Sequence, residues 1–216
     1  MSQITVFKNF INNLDKKTIS IIALTILVII WIFLIKTHLI DGFDSSIYNM
    51  IAPYINDNLT SIFKSLTFFG GGLFTSAFCI LALIISFILK KRNIGLFIFC
   101  SGLINKIITD IIKIIVQRPR PEILRLVHET SYSFPSGHTG ASVTLSGALI
   151  FLILKSNLNR NIKIILTIPL AILPILIAIS RVYLGVHYSS DVIGAAMIAT
   201  ILLLIEISII EKKGLI

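Results

Sequence analysis

Charge is scarce in this chain: only 13% of its 216 residues are Asp, Glu, Lys or Arg, and just 10 are acidic. That excludes a disordered polypeptide and argues against an ordinary soluble domain, in which about a quarter of residues are charged. Cysteine is nearly missing too. Cys79 and Cys100 both lie inside apolar stretches, where a thiol behaves as a small hydrophobe, so they imply no disulfide framework. The chain has no His-Glu-x-x-His motif. No small-residue cleavage site follows the first apolar run, so Lys8, Lys16 and Lys17 are expected to precede an uncleaved transmembrane helix.

Apolar residues are abundant, at 56% of the chain with a mean hydropathy of +0.96. They fall into six blocks long enough to cross a bilayer: Ile19 to Ile35, Leu66 to Leu89, Ile94 to Val116, Gly137 to Leu154, Ile164 to Ser180, and Val192 to about Ile210. The expected fold is a single all-α domain over residues 1–216, an integral membrane bundle of six transmembrane helices. Asp44 is placed to cap a short interfacial helix running towards Ile55. Gly70, Gly71 and Gly72 are expected to serve close helix packing inside the second span, and Pro169 and Pro174 to bend the fifth without ending it.

The net charge of +9 comes from clusters flanking these blocks, so it points to lipid head groups and topology, with no nucleic-acid partner. Lys8, Lys16 and Lys17, then Lys90, Lys91 and Arg92, then Lys155, Arg160 and Lys163, and finally Lys212 and Lys213 mark alternate segments as cytoplasmic. Both termini therefore face the cytoplasm in this reading. The Gln117 to Ser136 connection lies on the opposite side and is nevertheless basic, with Arg118, Arg120 and Arg125. Topology does not explain that exception; ligand binding does.

Three clusters carry polar groups in places where they are costly. Lys106, Asp110 and Lys113 share one face of the third span, although a charge near a membrane centre costs roughly 2.5–3.5 kcal/mol. Lys106 can pair with Asp110, leaving Lys113 for another anion. Beyond it, Arg118-Pro119-Arg120-Pro121 holds guanidinium forks at the helix end, suited to phosphate oxygens. Pro135-Ser136-Gly137-His138 opens the fourth span with a hydroxyl, a glycine and free helix N-terminal amides, an anion site beside a histidine able to protonate a leaving oxygen. In the third cluster, Arg181 precedes His187 and Asp191, which are spaced i, i+4 so that the carboxylate can fix the imidazole tautomer and leave the other nitrogen free to attack. Each cluster alone also has a purely structural reading: a snorkelling lysine, a capped helix, a His–Asp pair at a helix start. A zinc site is disfavoured because arginines and a lysine share the same clusters. His38 and His128 read as solvated loop residues.

Taken together, the clusters resemble the type 2 phosphatidic acid phosphatase family, membrane lipid phosphatases related to the vanadium-dependent haloperoxidases. The family pattern of Lys, six residues, Arg-Pro is met by Lys113 with Arg120-Pro121. Pro-Ser-Gly-His is met at residues 135–138, and Ser-Arg, five residues, His, three residues, Asp by Ser180-Arg181, His187 and Asp191. The resemblance implies that His187 is the nucleophile, Asp191 its orienting partner and His138 the general acid. Lys113, Arg120, Ser136, Gly137 and Arg181 would bind the phosphoryl oxygens, with no cofactor and no metal. Arg118 matches no motif position.

The expected activity is hydrolysis of a lipid phosphate or diphosphate through a phosphohistidine on the extracytoplasmic side. Undecaprenyl diphosphate is the favoured substrate, ahead of phosphatidylglycerophosphate and phosphatidic acid. A reading of a different class, a transporter or channel using Lys106, Asp110 and Lys113 as a relay, lacks any inverted repeat. The haloperoxidase reading conflicts with the membrane character of the chain.

Overall fold

The computed structural model describes residues 15–216, which form eight α-helices with no strand among them. They are α1 (Lys16–Lys36), α2 (Asp41–Ile51), α3 (Asp57–Thr67), α4 (Gly72–Ile88), α5 (Arg92–Val116), α6 (Gly137–Lys155), α7 (Arg160–Tyr183) and α8 (Ser189–Lys212). Five of these are long and apolar enough to cross a membrane, and the bent pair formed by α3 and α4 supplies a sixth candidate span. Lys8 lies outside the described residues.

The bundle is organised around α6, which packs against α5, α7 and α8. Its sequence permits this because small or hydroxylated residues, including Gly140, Ser142, Thr144, Ser146 and Ala148, are buried along it and let backbones approach. The same device joins α4 to α5: a Cβ at Gly102 would stand 2.8 Å from the Cys79 sulfur, and one at Gly95 would overlap Ser86. Large apolar side chains such as Ile29, Phe33, Leu73, Ile88 and Ile165 are turned outwards, where lipid replaces the missing core. Both cysteines are free, Cys79 buried and Cys100 exposed.

Two expectations change. The second span does not begin at Leu66. A 3-10 turn over Phe68–Gly70 and an extended Gly71 separate α3 from α4, with a bend of 40°. Gly70 accounts for the break, since a Cβ there would lie 2.8 Å from the His138 carbonyl oxygen. Close packing is thus real at Gly70, but it interrupts the helix. Asp44, expected as a cap, lies inside the first turn of α2, whose cap residue is Ile40 without a side-chain bond. Its carboxylate is consumed elsewhere. By contrast α7 runs unbroken through Pro169 and Pro174, because neighbouring helices compensate for the backbone groups that proline frees.

Basic residues mark one end of the bundle. Lys17 of α1 pairs with Glu211 of α8, and Lys155 at the end of α6 lies 2.9 Å from the same carboxylate. The sequence clusters around Lys113, His138 and His187 gather at the other end.

Candidate active site

The end of α5 sets the site's geometry. Gln117 adopts a left-handed conformation, φ 54°, and Pro119 follows, so the chain leaves the helix sharply and carries Arg118 and Arg120 back over the bundle. The two arginines diverge. Arg120 donates to the carbonyls of Ser131 (2.6 Å) and Val186 (2.7 Å) and sits 3.4 Å from His187 Nε2. Arg118 donates to Asp44 (2.8 Å), Asp191 (2.7 Å) and the Ser190 hydroxyl (2.7 Å), with its guanidinium 4.0 Å above the Tyr188 ring. All of these partners lie away from the cavity, so Arg118 does not join the phosphate-binding forks. Arg125, the other basic residue of this loop, is exposed and bonds the Pro121 carbonyl.

His187 is only 2% exposed and precedes α8 instead of lying on it. The i, i+4 helical face is therefore not what joins it to Asp191. Asp191 occupies the third position of α8 and reaches back to accept from the Tyr188 amide at 2.9 Å, closing a capping box. The same carboxylate oxygen lies 3.5 Å from His187 Nδ1 and accepts from the Ser133 hydroxyl. Helix cap and imidazole orienter are one group. The preceding turn depends on Gly185, whose φ is 70° and where a Cβ would stand 2.1 Å from the Leu124 carbonyl oxygen, so no side chain fits.

Lys113 is buried and donates to the Tyr132 carbonyl, with the Ser131 hydroxyl 3.4 Å away. Arg181 is almost completely buried, donates to Thr67 (3.1 Å) and Glu129 (2.5 Å), and keeps an Nε that has no partner among the described residues. The Ser136 hydroxyl caps α6, accepting from the Thr139 amide at 3.4 Å, and does not line the cavity. Gly137 and His138 instead line the cavity, and a Cβ at Gly137 would meet nothing within 4 Å, so the open side of that residue faces ligand space. Among the described residues no group of three His, Cys, Asp or Glu side chains could hold a metal ion. His38 and His128 are exposed, His38 pairing only with Asp41.

Burial pushes the His187 ring down to about 4, Arg181 and Arg120 act in the same direction, and Asp191 opposes them. The ring is neutral at physiological pH, as an attacking nitrogen requires. Burial alone would raise the Glu129 carboxyl, but Arg181, His138 and Arg120 outweigh it and hold Glu129 below the usual carboxylate range. Glu129, Ser133 and Asp44 are the site residues that the sequence motifs did not reveal.

A cavity of about 360 Å3 begins at His187, His138 and Arg120 and extends between α4 and α5 as far as Ile80 and Phe99. Lys106 and Asp110 pair with each other and line this cavity, so the charged face of α5 opens on it. Two histidines, clustered cations and a slot descending into the apolar bundle are the arrangement that phosphoryl transfer from an amphiphile would need. Residues 93–215 match the model of the PAP2 superfamily, and the chain belongs to that family: it is a multi-pass membrane phosphatase, a hydrolase of phosphoric esters. It is 28% identical over 162 residues to phosphatidylglycerophosphatase B of Bacillus subtilis, covering 74% of this chain and 77% of that protein. It is 31% identical over 118 residues to undecaprenyl-diphosphatase BcrC of the same organism, covering 52% and 56%. The fold is similar to the crystal structure of a transmembrane PAP2 type phosphatidylglycerolphosphate phosphatase from Bacillus subtilis, with a TM-score of 0.82 at 25% identity, over 89% of this chain and 96% of that one.

Proposed function

We propose that this enzyme removes a phosphoryl group from a membrane lipid through a phosphohistidine at His187. The observation that carries the reading is the position of His187 Nε2, beside Arg120 at 3.4 Å and at the mouth of a cavity that continues into the bundle. The Nε2 lone pair attacks phosphorus and the bond to the leaving oxygen breaks. His138 supplies the proton to that oxygen, and Asp191 holds the Nδ1 proton of the now cationic ring. His138 then takes a proton from water, whose oxygen attacks phosphorus and expels His187, releasing inorganic phosphate. Lys113, Arg120, Arg181 and the amides at the start of α6 bear the charge that accumulates on the phosphoryl oxygens. Ser136 contributes by holding that helix start. No step draws on a metal.

The cavity is polar directly beneath the phosphate site, where Lys106, Thr109 and Asp110 line it, and apolar further down. A polar spacer between the reacting phosphate and the tails suits that order. Phosphatidylglycerophosphate therefore leads among substrates, in agreement with the name of the relative that is matched over most of its length. Undecaprenyl diphosphate, favoured by the sequence, stands second and is supported by the name of the other relative. Phosphate release by purified protein, in chelator, from a panel of lipid monophosphates and diphosphates tests both claims. Activity that needs an added divalent ion would refute the metal-free mechanism. The lipid with the highest kcat/KM settles the order.

The site is proposed to face the extracytoplasmic side because Lys17, Lys155 and Lys212 lie at the other end of the bundle. A cysteine in place of the exposed Glu122 is expected to react with an impermeant maleimide in intact cells. Labelling only after lysis would reverse the topology.

A further inference from the structure

A buried charge chain stands behind the nucleophile, and part of it comes from outside the family core. Asp44, on α2, is 3% exposed and makes every bond its carboxylate can reach with the site's own residues. Its Oδ1 accepts from the Ser190 amide at 2.7 Å. Its Oδ2 accepts from the Ser190 hydroxyl at 2.6 Å and from Arg118 at 2.8 Å. Arg118 in turn donates to Asp191 Oδ1 at 2.7 Å, while Asp191 Oδ2 faces His187. The order is therefore His187, Asp191, Arg118, Asp44.

Charge counting shows what the last member does. Asp191 and Arg118 alone sum to zero, which would leave the imidazolium of a phosphohistidine facing a neutral pair. With Asp44 the three sum to one negative charge, and that charge is available to the ring. Exposed Asp41, 3.8 Å from Arg118, cannot replace it, because water screens it. A surface acid pairing with a surface arginine would need no such explanation, but Asp44 and Arg118 are both buried, where a net charge is costly unless something uses it.

We propose that Asp44 and Arg118 are positioning residues of the phosphoryl-transfer reaction, acting through Asp191 to set both the orientation and the charge felt by His187, so that α2 is part of the catalytic apparatus. Neither touches the cavity. The proposal rests on the phosphohistidine reading. It also accounts for Arg118, which no motif position claims, and for a residue that lies before the family core at 93–215.

The test is the pH profile of kcat/KM for Asp44→Asn and Arg118→Gln, assayed in native membranes against phosphate release from the best lipid substrate. The groups that face His187 are Asp191 from its own turn, Arg120 and Glu129 from the preceding loop, Arg181 of α7, His138 of α6 and Lys113 of α5, and neither substitution replaces any of them. Loss of the Asp44 charge moves the acid limb to lower pH, and loss of the Arg118 charge moves it to higher pH, each by on the order of half a unit. Both lower kcat, by about 10- to 100-fold, through misplacement of Asp191. The double variant returns the limb towards its original position. Opposite shifts in the two single variants support the proposal, and either variant alone still reads a direction if the other fails to accumulate. A limb that stays put while activity falls in step with thermal stability overturns it and makes the network structural. Full activity in His187→Ala would instead remove the phosphohistidine reading beneath it, so the two failures are distinguishable.

Discussion

His187→Ala is expected to lower phosphate release by about 10,000-fold or more, because the substitution removes the atom proposed to bond to phosphorus. Rapid quenching of the unmodified enzyme with a phosphorus-labelled lipid should trap acid-labile label on the protein, and the variant should trap none. Asp191→Asn should fall nearly as far, since an amide can accept the Ser133 and Tyr188 bonds yet no longer stabilises a charged ring. His138→Ala should separate the two half-reactions: labelled enzyme still forms from a substrate with a good leaving group but persists, for lack of a base to activate water. The pH dependence has a defined sign. With the free ring held down at about 4, the acid limb of kcat/KM lies near that pH and falls about tenfold per pH unit below it, while on the alkaline side activity declines as His138 loses the proton it donates. A bound phosphate dianion favours the protonated ring, so the limb of kcat lies at higher pH than that of kcat/KM. A kcat/KM limb near 6.5 would mean that the site is far wetter than its burial implies.

Arg181 carries the second large effect, for two separate reasons. Its Nη1 and Nη2 donate to Thr67 and Glu129 while its Nε is without a partner among the described residues, and in the proposed mechanism a phosphoryl oxygen is the ligand that completes it. Arg181→Lys keeps the charge and loses the fork, so kcat should fall about 100- to 1000-fold while the fold survives. Arg181→Met goes further by stranding Glu129 in a partly buried site. Breaking such a pair costs up to about 3–5 kcal/mol when both ends are fully enclosed, and less here because Glu129 retains some exposure. Adding Glu129→Gln to Arg181→Met should restore thermal stability in detergent without restoring turnover. Recovery of activity in that double variant would show that Arg181 only holds the loop.

The sequence made Lys113, Arg120, Arg181, His138, His187 and Asp191 visible because each sits in a short local pattern whose chemistry is costly in a membrane without a purpose. The set of apolar spans was legible for the same reason: apolar length is a local property. Local spacing also misled. His187 and Asp191 meet through a capping box at the start of α8, not as neighbours along a helix, though the contact is the one expected. Ser136 turned out to cap the helix it begins and to lie outside the cavity lining. Asp44 could not be read at all, since its partners Arg118 and Ser190 lie 74 and 146 residues away along the chain. The only signal was an acidic residue in an interfacial helix with no lysine nearby. Glu129 gave a similar hint as one of two acids, with Glu122, inside a basic loop. The break at Gly70 was hidden because an apolar run looks the same whether it is one helix or two.

The reach of Asp44 across the chain also bears on how the enzyme could be divided. Trp31 of α1 donates to the Ser190 carbonyl at 2.9 Å, so α1 and α2 both dock on the turn that opens α8. A fragment starting after the Lys90 turn would retain every motif residue and lose these supports. Two complementary fragments, cut between α4 and α5 and expressed together, would have to find each other in the bilayer before phosphate release could begin, and catalysis would then report on helix association within the membrane.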